Sequence, residues 1–239
     1  MTQFPAYDLC GILKRNTYPG RGLVAGVSPK GTLVLLYFIM GRSENSRNRV
    51  FVKDDLDVRI EPADARLVAD PSLIMYRPVR TINRQYIVSN GDQTDTIYDF
   101  LRRGYSFHQA LRTRSYEPDA PHFTPRISAL AVREKDAFHY TLSILKKQDD
   151  ITRQYYEYKQ APGVGHLIHT YRGEGSPLPS FEGEPRRVIL PEDVDSFVND
   201  VWGSLDHDNR IALYARIVPE KEGAERCIII NRFEKVEET

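Results

Sequence analysis

The chain has 239 residues, with 33 basic and 33 acidic side chains and a formal net charge of zero. Its composition, 41% hydrophobic and 28% charged, is that of a globular protein able to bury a sizeable core. The neutral balance creates no overall field favouring nucleic acid or an acidic membrane, so any anion binding must come from a local arrangement. The longest apolar run, residues 32–40, is too short to span a bilayer. We therefore expect a cytoplasmic protein with neither a membrane nor a nucleic-acid partner.

Strand-like segments dominate the sequence. Residues 138–144 alternate apolar and polar side chains, the period-two pattern of a strand with one buried face. Similar segments cover residues 22–27, 32–40, 48–52, 80–89, 126–132, 137–145, 151–159, 166–171, 210–218 and 226–230.

Helices are fewer and have clear ends. One is predicted to begin near Thr94 and to stop before Gly104, and Ser106 with Gln109 fits a capping box at the start of the next. A third lies within residues 191–203, where apolar side chains recur at helical spacing. Many antiparallel strands with few helices predict an α+β fold in which helices cover sheets. Since no linker or repeat divides the sequence, we expect one domain over residues 1–239.

The two cysteines, Cys10 and Cys227, lie in apolar surroundings that look strand-like. Two such residues favour buried, unreactive thiols over a disulfide framework or a cysteine metal site. The six histidines show no pair at metal-binding spacing on one helix face. The sequence also lacks a glycine-rich dinucleotide loop, a Walker-type loop and a Gly-x-Ser-x-Gly elbow. We therefore expect no metal ion.

Residues 40–51 connect two predicted strands and carry Arg42, Arg47 and Arg49 together with Ser43 and Asn48. Guanidinium groups hold phosphate bidentately, and hydroxyl or amide groups can complete such a cradle. The alternative is a solvated polar connection with no ligand.

Residues 89–95 place Asn90 and Gly91 in a bend between a strand and a helix. Free backbone N–H groups at a helix start can receive an anion or a carbonyl oxygen. The alternative is self-capping by Asp92 or Thr94, with Asp95 complementing the helix dipole.

Arg126 begins a strand directly after Pro125, which fixes the direction in which the chain enters. An arginine in this place could be aimed at a ligand or could be an ordinary surface residue. The irregular segment over residues 163–188, rich in glycine and proline, could be functional or could serve packing alone.

Four motifs in this order resemble the archaeal-type inosine monophosphate (IMP) cyclohydrolase family, including its bacterial members. They are GRSENSRNRVF (41–51), YIVSNGDQTD (86–95), FTPRIS (123–128) and GVGHLIHTYRGEGSPLPSFEGEP (163–185). The resemblance implies the four-layer αββα sandwich of the N-terminal-nucleophile hydrolases. Hydrolases of that fold use a Cys, Ser or Thr at the chain start as nucleophile. Because Cys10 is internal, we expect the scaffold without that nucleophile.

The implied reaction closes 5-formamidoimidazole-4-carboxamide ribonucleotide (FAICAR) to IMP with loss of water, the last step of purine synthesis. The partner would be this small purine ribonucleotide. No cofactor would be needed, and a homo-oligomer is expected. Alternatives are a non-catalytic purine-nucleotide-binding protein and an amide hydrolase of the same fold.

The resemblance also implies site residues. Between them, Arg42, Arg49 and Arg126 would bind the 5′-phosphate and polarise the formyl oxygen. Asn90 and Gly91 would hold the carboxamide. Asp95 would orient an arginine or cap its helix. Tyr171 and His169 would contact the ring or transfer protons. The implied catalytic residues are Arg42, Asn90, Asp95, Arg126 and Tyr171, and the implied substrate-binding residues are Arg42, Ser43, Asn48, Arg49, Asn90, Gly91, Thr94, Thr124, Arg126 and His169.

Overall fold

A computed structural model describes residues 4–68, 75–135, 137–220 and 223–235. Within these ranges the α-helices are α1 (Leu9–Arg15), α2 (Glu44–Arg47), α3 (Gln93–Arg102), α4 (Phe107–Arg112) and α5 (Val194–Ser204). The strands are β1 (Arg21–Val27), β2 (Leu33–Met40), β3 (Val50–Asp54), β4 (Asp57–Glu61), β5 (Val79–Ile82), β6 (Gln85–Ser89), β7 (Arg126–Arg133), β8 (Phe138–Lys147), β9 (Ile151–Lys159), β10 (Val164–His169), β11 (Arg186–Ile189), β12 (Arg210–Val218) and β13 (Arg226–Asn231). No helix in these ranges has the length and apolar character needed to cross a membrane.

The strands form two antiparallel sheets. The six-stranded sheet has the order β11-β10-β1-β2-β12-β13. The seven-stranded sheet runs from β3 to β9 in sequence order, so each strand pairs with the next along the chain. Short connections favour this neighbour pairing for most of these strands, whereas a longer connection that contains α3 and α4 joins β6 to β7.

The main core lies between the two sheets, and helices cover their outer faces. In β2 the side chains of Leu35 and Tyr37 enter the inter-sheet core, whereas Leu36 and Phe38 face the cluster that contains α1 and α5. Both faces of β2 are therefore buried, which explains its uninterrupted apolar sequence. A third apolar cluster joins α3 and α4 to the outer face of the seven-stranded sheet.

The α+β class predicted from the sequence is confirmed, as are its main helices. The predicted helix within 191–203 forms α5, where Asp193 accepts a hydrogen bond from the Ser196 backbone at 3.0 Å. The capping box of Ser106 and Gln109 is present at the start of α4.

Several local predictions were wrong. Residues 80–89 are not one strand but the hairpin of β5 and β6, in which Asn83 and Arg84 adopt positive φ angles of 46° and 61°. Two consecutive residues with positive φ form the tight turn that suits a hairpin. Cys10 lies in α1, not in a strand, and both it and Cys227 are free but half-buried rather than buried.

Candidate active site

Two arginines meet in the inter-sheet region near the start of β1. Arg21 is the first residue of β1, and its backbone exchanges hydrogen bonds with Thr170 at 3.1 and 2.9 Å. The chain reaches it through Gly20, whose φ of 75° and close approach to Thr170 and Tyr171 leave no room for a Cβ. Arg49 directly precedes β3 and is completely buried. Distant parts of the sequence therefore bring two guanidinium groups together.

The guanidinium of Arg49 is only partly satisfied by the protein. Its Nε donates to the Ser46 carbonyl at 2.7 Å, but within the described ranges Nη1 and Nη2 are buried without an acceptor. Arg21 Nε is in the same condition. Burial, together with the nearby Arg21, lowers the pKa of Arg49. Buried donors are normally paired, so these three N–H-bearing atoms mark a place built to receive an acceptor.

Glu117 is the acidic group of this region. It lies in the connection between α4 and β7, is only 4% exposed, and donates its backbone N–H to the Thr124 carbonyl at 2.9 Å. Burial raises the pKa of its carboxyl, although Arg21 and Arg126 act in the opposite direction. A carboxyl with a raised pKa is suited to general acid–base catalysis.

Tyrosine hydroxyls surround these charges. Tyr37 and Tyr76 form a hydrogen bond of 2.9 Å between their hydroxyls, and burial raises the pKa of both. Tyr171 Oη lies 2.5 Å from Thr124 Oγ1, whose hydroxyl donates to the Asp119 carboxylate. Burial raises the pKa of Tyr171 to about 12, so this phenol stays protonated near neutral pH.

Arg21, Arg49, Glu117 and the tyrosines around them are called here the cluster. Arg42 lies at its edge. It stands 4.5 Å above the Tyr18 ring, which in turn stacks on Tyr171 with centroids 6.0 Å apart. Its Nη1 is 2.6 Å from Glu174 Oε2, and the side chain is 37% exposed. Arg42 is thus a rim residue, unlike the buried Arg49.

Arg126 is held by the bend that opens α3. Its Nη1 lies 2.7 Å from Asp92 Oδ1 and donates to Gln93 Oε1 at 2.5 Å. A Cβ at position 91 would overlap this same nitrogen, so the close approach of Arg126 requires glycine there. Asp92 occupies the N-cap position without a side-chain capping bond because its carboxylate serves Arg126 and Arg114.

Asn90 and Thr94 shape the same bend through buried side chains. Asn90 donates to the Pro125 carbonyl and accepts from the Ile127 backbone, both at 2.8 Å. Thr94 Oγ1 donates to the Gly91 carbonyl at 2.9 Å. The bonds of Asn90 join the end of β6 to the start of β7, and the bond of Thr94 closes the first turn of α3, so both side chains shape the bend that holds Arg126.

Other residues of the first motif support the backbone. Ser43 caps α2 by accepting from the Ser46 N–H at 3.2 Å, and Asn48 exchanges two bonds of 2.7 Å with the Asp64 backbone. Arg47 donates to the Gly41 carbonyl and to Asn209, at 3.1 and 3.4 Å. Of the arginines within 46–51, the structure therefore places Arg49 in the cluster and Arg47 outside it.

Asp95 and His169 also lie outside the cluster. Asp95 is 49% exposed and pairs with Arg80 at 2.8 Å, so its carboxylate faces neither its own helix start nor a cluster arginine. The His169 ring lies on the helical side of the six-stranded sheet, with Nδ1 2.8 Å from the Tyr171 carbonyl.

The sequence did not indicate Arg21 or Glu117 as site residues, and it indicated Asp92 only as a helix cap. Arg21 follows Pro19 and Gly20 at a strand start, a signal like the one that singled out Arg126 after Pro125. Glu117 precedes a proline in an irregular connection, and nothing in the local pattern indicates its burial. Among the described residues, no group of three or more His, Cys, Asp or Glu side chains could hold a metal ion.

Comparison with known proteins finds several relatives named IMP cyclohydrolase. An IMP cyclohydrolase of Methanopyrus kandleri is 26% identical over 190 residues, covering 74% of this chain and 95% of the relative. Those of Methanocaldococcus jannaschii and Methanococcus aeolicus are each 30% identical, covering 64% and 77% of this chain and 73% and 88% of the relatives. The family of IMP cyclohydrolase-like proteins matches residues 18–222. The chain therefore belongs to the IMP cyclohydrolase-like protein family.

Proposed function

We propose that the chain is an IMP cyclohydrolase that closes FAICAR to IMP with loss of water. The observation that carries the proposal is the pair of Arg21 and Arg49, whose buried, unpaired donor atoms lie near the acid Glu117. In ring closure the carboxamide nitrogen attacks the formyl carbon, and the formyl oxygen becomes an oxyanion. Both reacting groups already lie on one ring, so binding the productive rotamer supplies much of the rate.

The guanidinium groups of Arg21 and Arg49 are assigned the role of stabilising the developing oxyanion. Arg49 Nη1 and Nη2 and Arg21 Nε are fixed before substrate arrives, and they are shielded from water. Donors arranged in this way stabilise charge that appears only in the transition state. The two cations near one buried carboxyl also leave an excess of positive charge for an anionic oxygen to balance.

Glu117 is assigned to proton transfer. After the new C–N bond forms, the carboxamide nitrogen gives up a proton and the oxyanion becomes a hydroxyl. The hydroxyl then departs as water once it is protonated, and the formamido nitrogen loses its proton as the C=N bond forms. Burial favours the protonated form of Glu117, so this carboxyl can protonate the leaving hydroxyl.

Arg42 is assigned to the 5′-phosphate because it lies at the exposed rim. The assay follows the change in ultraviolet absorbance on ring closure, with FAICAR and with its dephosphorylated riboside. We expect Arg42→Ala to raise KM for FAICAR but not for the riboside, whereas Arg49→Met should lower kcat for both. Equal effects of Arg42→Ala on the two substrates would contradict the phosphate assignment. Binding of IMP without turnover by the unaltered chain would contradict the enzyme assignment.

Arg126, with Asn90, Gly91 and Thr94 behind it, is assigned to the substrate-facing wall of the same site. Thr124 and Tyr171 would orient the substrate through their neutral hydroxyls. In this proposal Ser43 and Asn48 shape the backbone before Arg49 and do not contact substrate.

We also propose that the two sheets and their outer helices form the four-layer αββα sandwich of the N-terminal-nucleophile hydrolases. Supporting this proposal, α1 and α5 pack on one sheet and α3 and α4 on the other. The proposed chemistry uses no N-terminal nucleophile. Mass spectrometry of the mature protein would contradict this if the chain began at Thr2 or Cys10. Self-association and a cytoplasmic location belong to the proposal, and sedimentation and cell fractionation test them.

A further inference from the structure

A second set of arginines surrounds a recess on the helical side of the six-stranded sheet. This cavity of about 280 Å³, called here the arginine recess, has polar walls formed by Arg15, Asn16, His169, Arg172, Glu182 and Arg186. Ile12 and Phe181 provide its apolar surface. We propose that the arginine recess binds a small molecule bearing a phosphate group, independently of the proposed active site.

The charges of the recess carry this inference. Its three arginines come from the end of α1, the turn after β10 and the edge strand β11. The one carboxylate in its wall, Glu182, is 2.8 Å from Arg172. In the described part of the chain, neither Arg15 nor Arg186 forms an ion pair. Like charges converging from separate segments repel one another, and a phosphate dianion would balance the two that lack a carboxylate.

His169 adds a buried acceptor to these cations. The imidazole is 5% exposed, and its Nδ1 lies 2.8 Å from the Tyr171 carbonyl. A carbonyl can only accept, so Nδ1 carries the proton and Nε2 keeps a lone pair. Nε2 can accept from a phosphate hydroxyl or from a hydroxyl of the attached organic group. Burial lowers the pKa of His169 to about 4, so the ring remains a neutral acceptor near neutral pH.

The recess and the site between the sheets lie on different faces of β10, and Phe181 contributes to both the recess wall and the inter-sheet core. Along β10, Leu167 packs in the cluster with α1 and α5, whereas Ile168 points into the inter-sheet core. His169 follows Leu167 by two residues and therefore shares its face. The guanidinium groups of Arg21 and Arg49 are assigned to the inter-sheet side, so one anion cannot serve both places.

The test uses nuclear magnetic resonance of protein labelled with ¹⁵N-histidine. The ring signals of His169, assigned with His169→Gln, are followed while inorganic phosphate is added to the full chain. We expect a saturable shift of the Nε2 signal. Arg15→Gln/Arg186→Gln should weaken the affinity about tenfold or more, because two charge-assisted contacts are lost. Arg172→Gln is a second, independent variant with the same expected direction.

Two controls separate the recess from other effects. Lys14→Gln/Arg103→Gln removes the same charge from exposed positions outside the recess and should leave the affinity unchanged. Arg49→Met alters the proposed active site and should also leave the His169 shift unchanged, so the two proposals can fail separately. The recess proposal is overturned if phosphate causes no His169 shift or if the Arg15/Arg186 variant responds like the unaltered chain. Equal affinity for succinate would overturn the preference for phosphate.

Discussion

Replacing Arg49 with methionine should make the protein more stable and less active. Arg49 is completely buried, and Nη1 and Nη2 have no acceptor in the described structure. A buried donor without a partner costs about 1–3 kcal/mol, so removing both should relieve several kcal/mol. Loss of the 2.7 Å bond from the charged Nε to the Ser46 carbonyl offsets about 1.5–3 kcal/mol of this. From the middle of these ranges, we expect the free energy of unfolding to rise by about 2 kcal/mol.

The same substitution removes donors assigned to the oxyanion. Loss of such a donor typically lowers kcat by about 100- to 1,000-fold. Calorimetry and denaturant titration measure the stability, where a chain of this size gains about 2–4 °C in Tm per kcal/mol. The ultraviolet ring-closure assay measures kcat. Arg47→Met is the matched control: it removes an arginine bonded to Gly41 and Asn209, and should slightly lower stability while leaving kcat unchanged. A less stable but fully active Arg49→Met enzyme would refute the reasoning.

Three further substitutions test the surroundings of this pair, and one tests a pH effect. Glu117→Gln should lower kcat by about 100-fold or more because the amide cannot protonate the leaving hydroxyl; unchanged steady-state kinetics would remove Glu117 from the mechanism. Gly91→Ala should displace Arg126 and lower kcat/KM at least about tenfold in the same assay, with unchanged circular dichroism. Asp95→Asn should alter kcat/KM by less than about twofold and Tm only slightly, since its carboxylate is half-exposed and an exposed ion pair contributes about 0–1 kcal/mol. For His169, folding lowers the pKa from 6.5 to about 4, so its contribution of about 3 kcal/mol is present above pH 6.5 and is lost as the pH falls toward 4. Denaturant titrations at several pH values should therefore show a weaker dependence in His169→Gln.

The sequence allowed prediction of features that depend on neighbours along the chain. The capping box at Ser106 and the helix after Asp193 are set by residues three or four positions apart, so local patterns suffice. The bend at Gly91 was also predicted, but the sequence did not decide whether it caps the helix or binds a ligand. The structure adds the reason for the glycine, which is the approach of Arg126 from a strand 35 residues away.

Pairs between side chains of different helices and strands could not be predicted from local patterns. Asp95 was predicted to orient an arginine or to cap its helix, and it pairs with an arginine, Arg80, which lies outside the proposed site. Asp92, three residues earlier, is the carboxylate that reaches Arg126. The two acids differ by almost one helical turn, and only the positions of β5 and β7 decide which arginine each one meets.

The pair of Arg21 and Arg49 shows why such a site cannot be predicted from local patterns but can be seen in a structure. Each residue precedes or begins a strand, where an arginine usually reaches solvent. Packing of one sheet on the other removes that water and leaves donors without acceptors, an arrangement that folding alone would not favour. Because the inter-sheet core buries many apolar side chains, their burial can offset this local destabilisation. An unfavourable polar arrangement held inside a favourable core is the physical signature expected of a site that stabilises charge in a transition state.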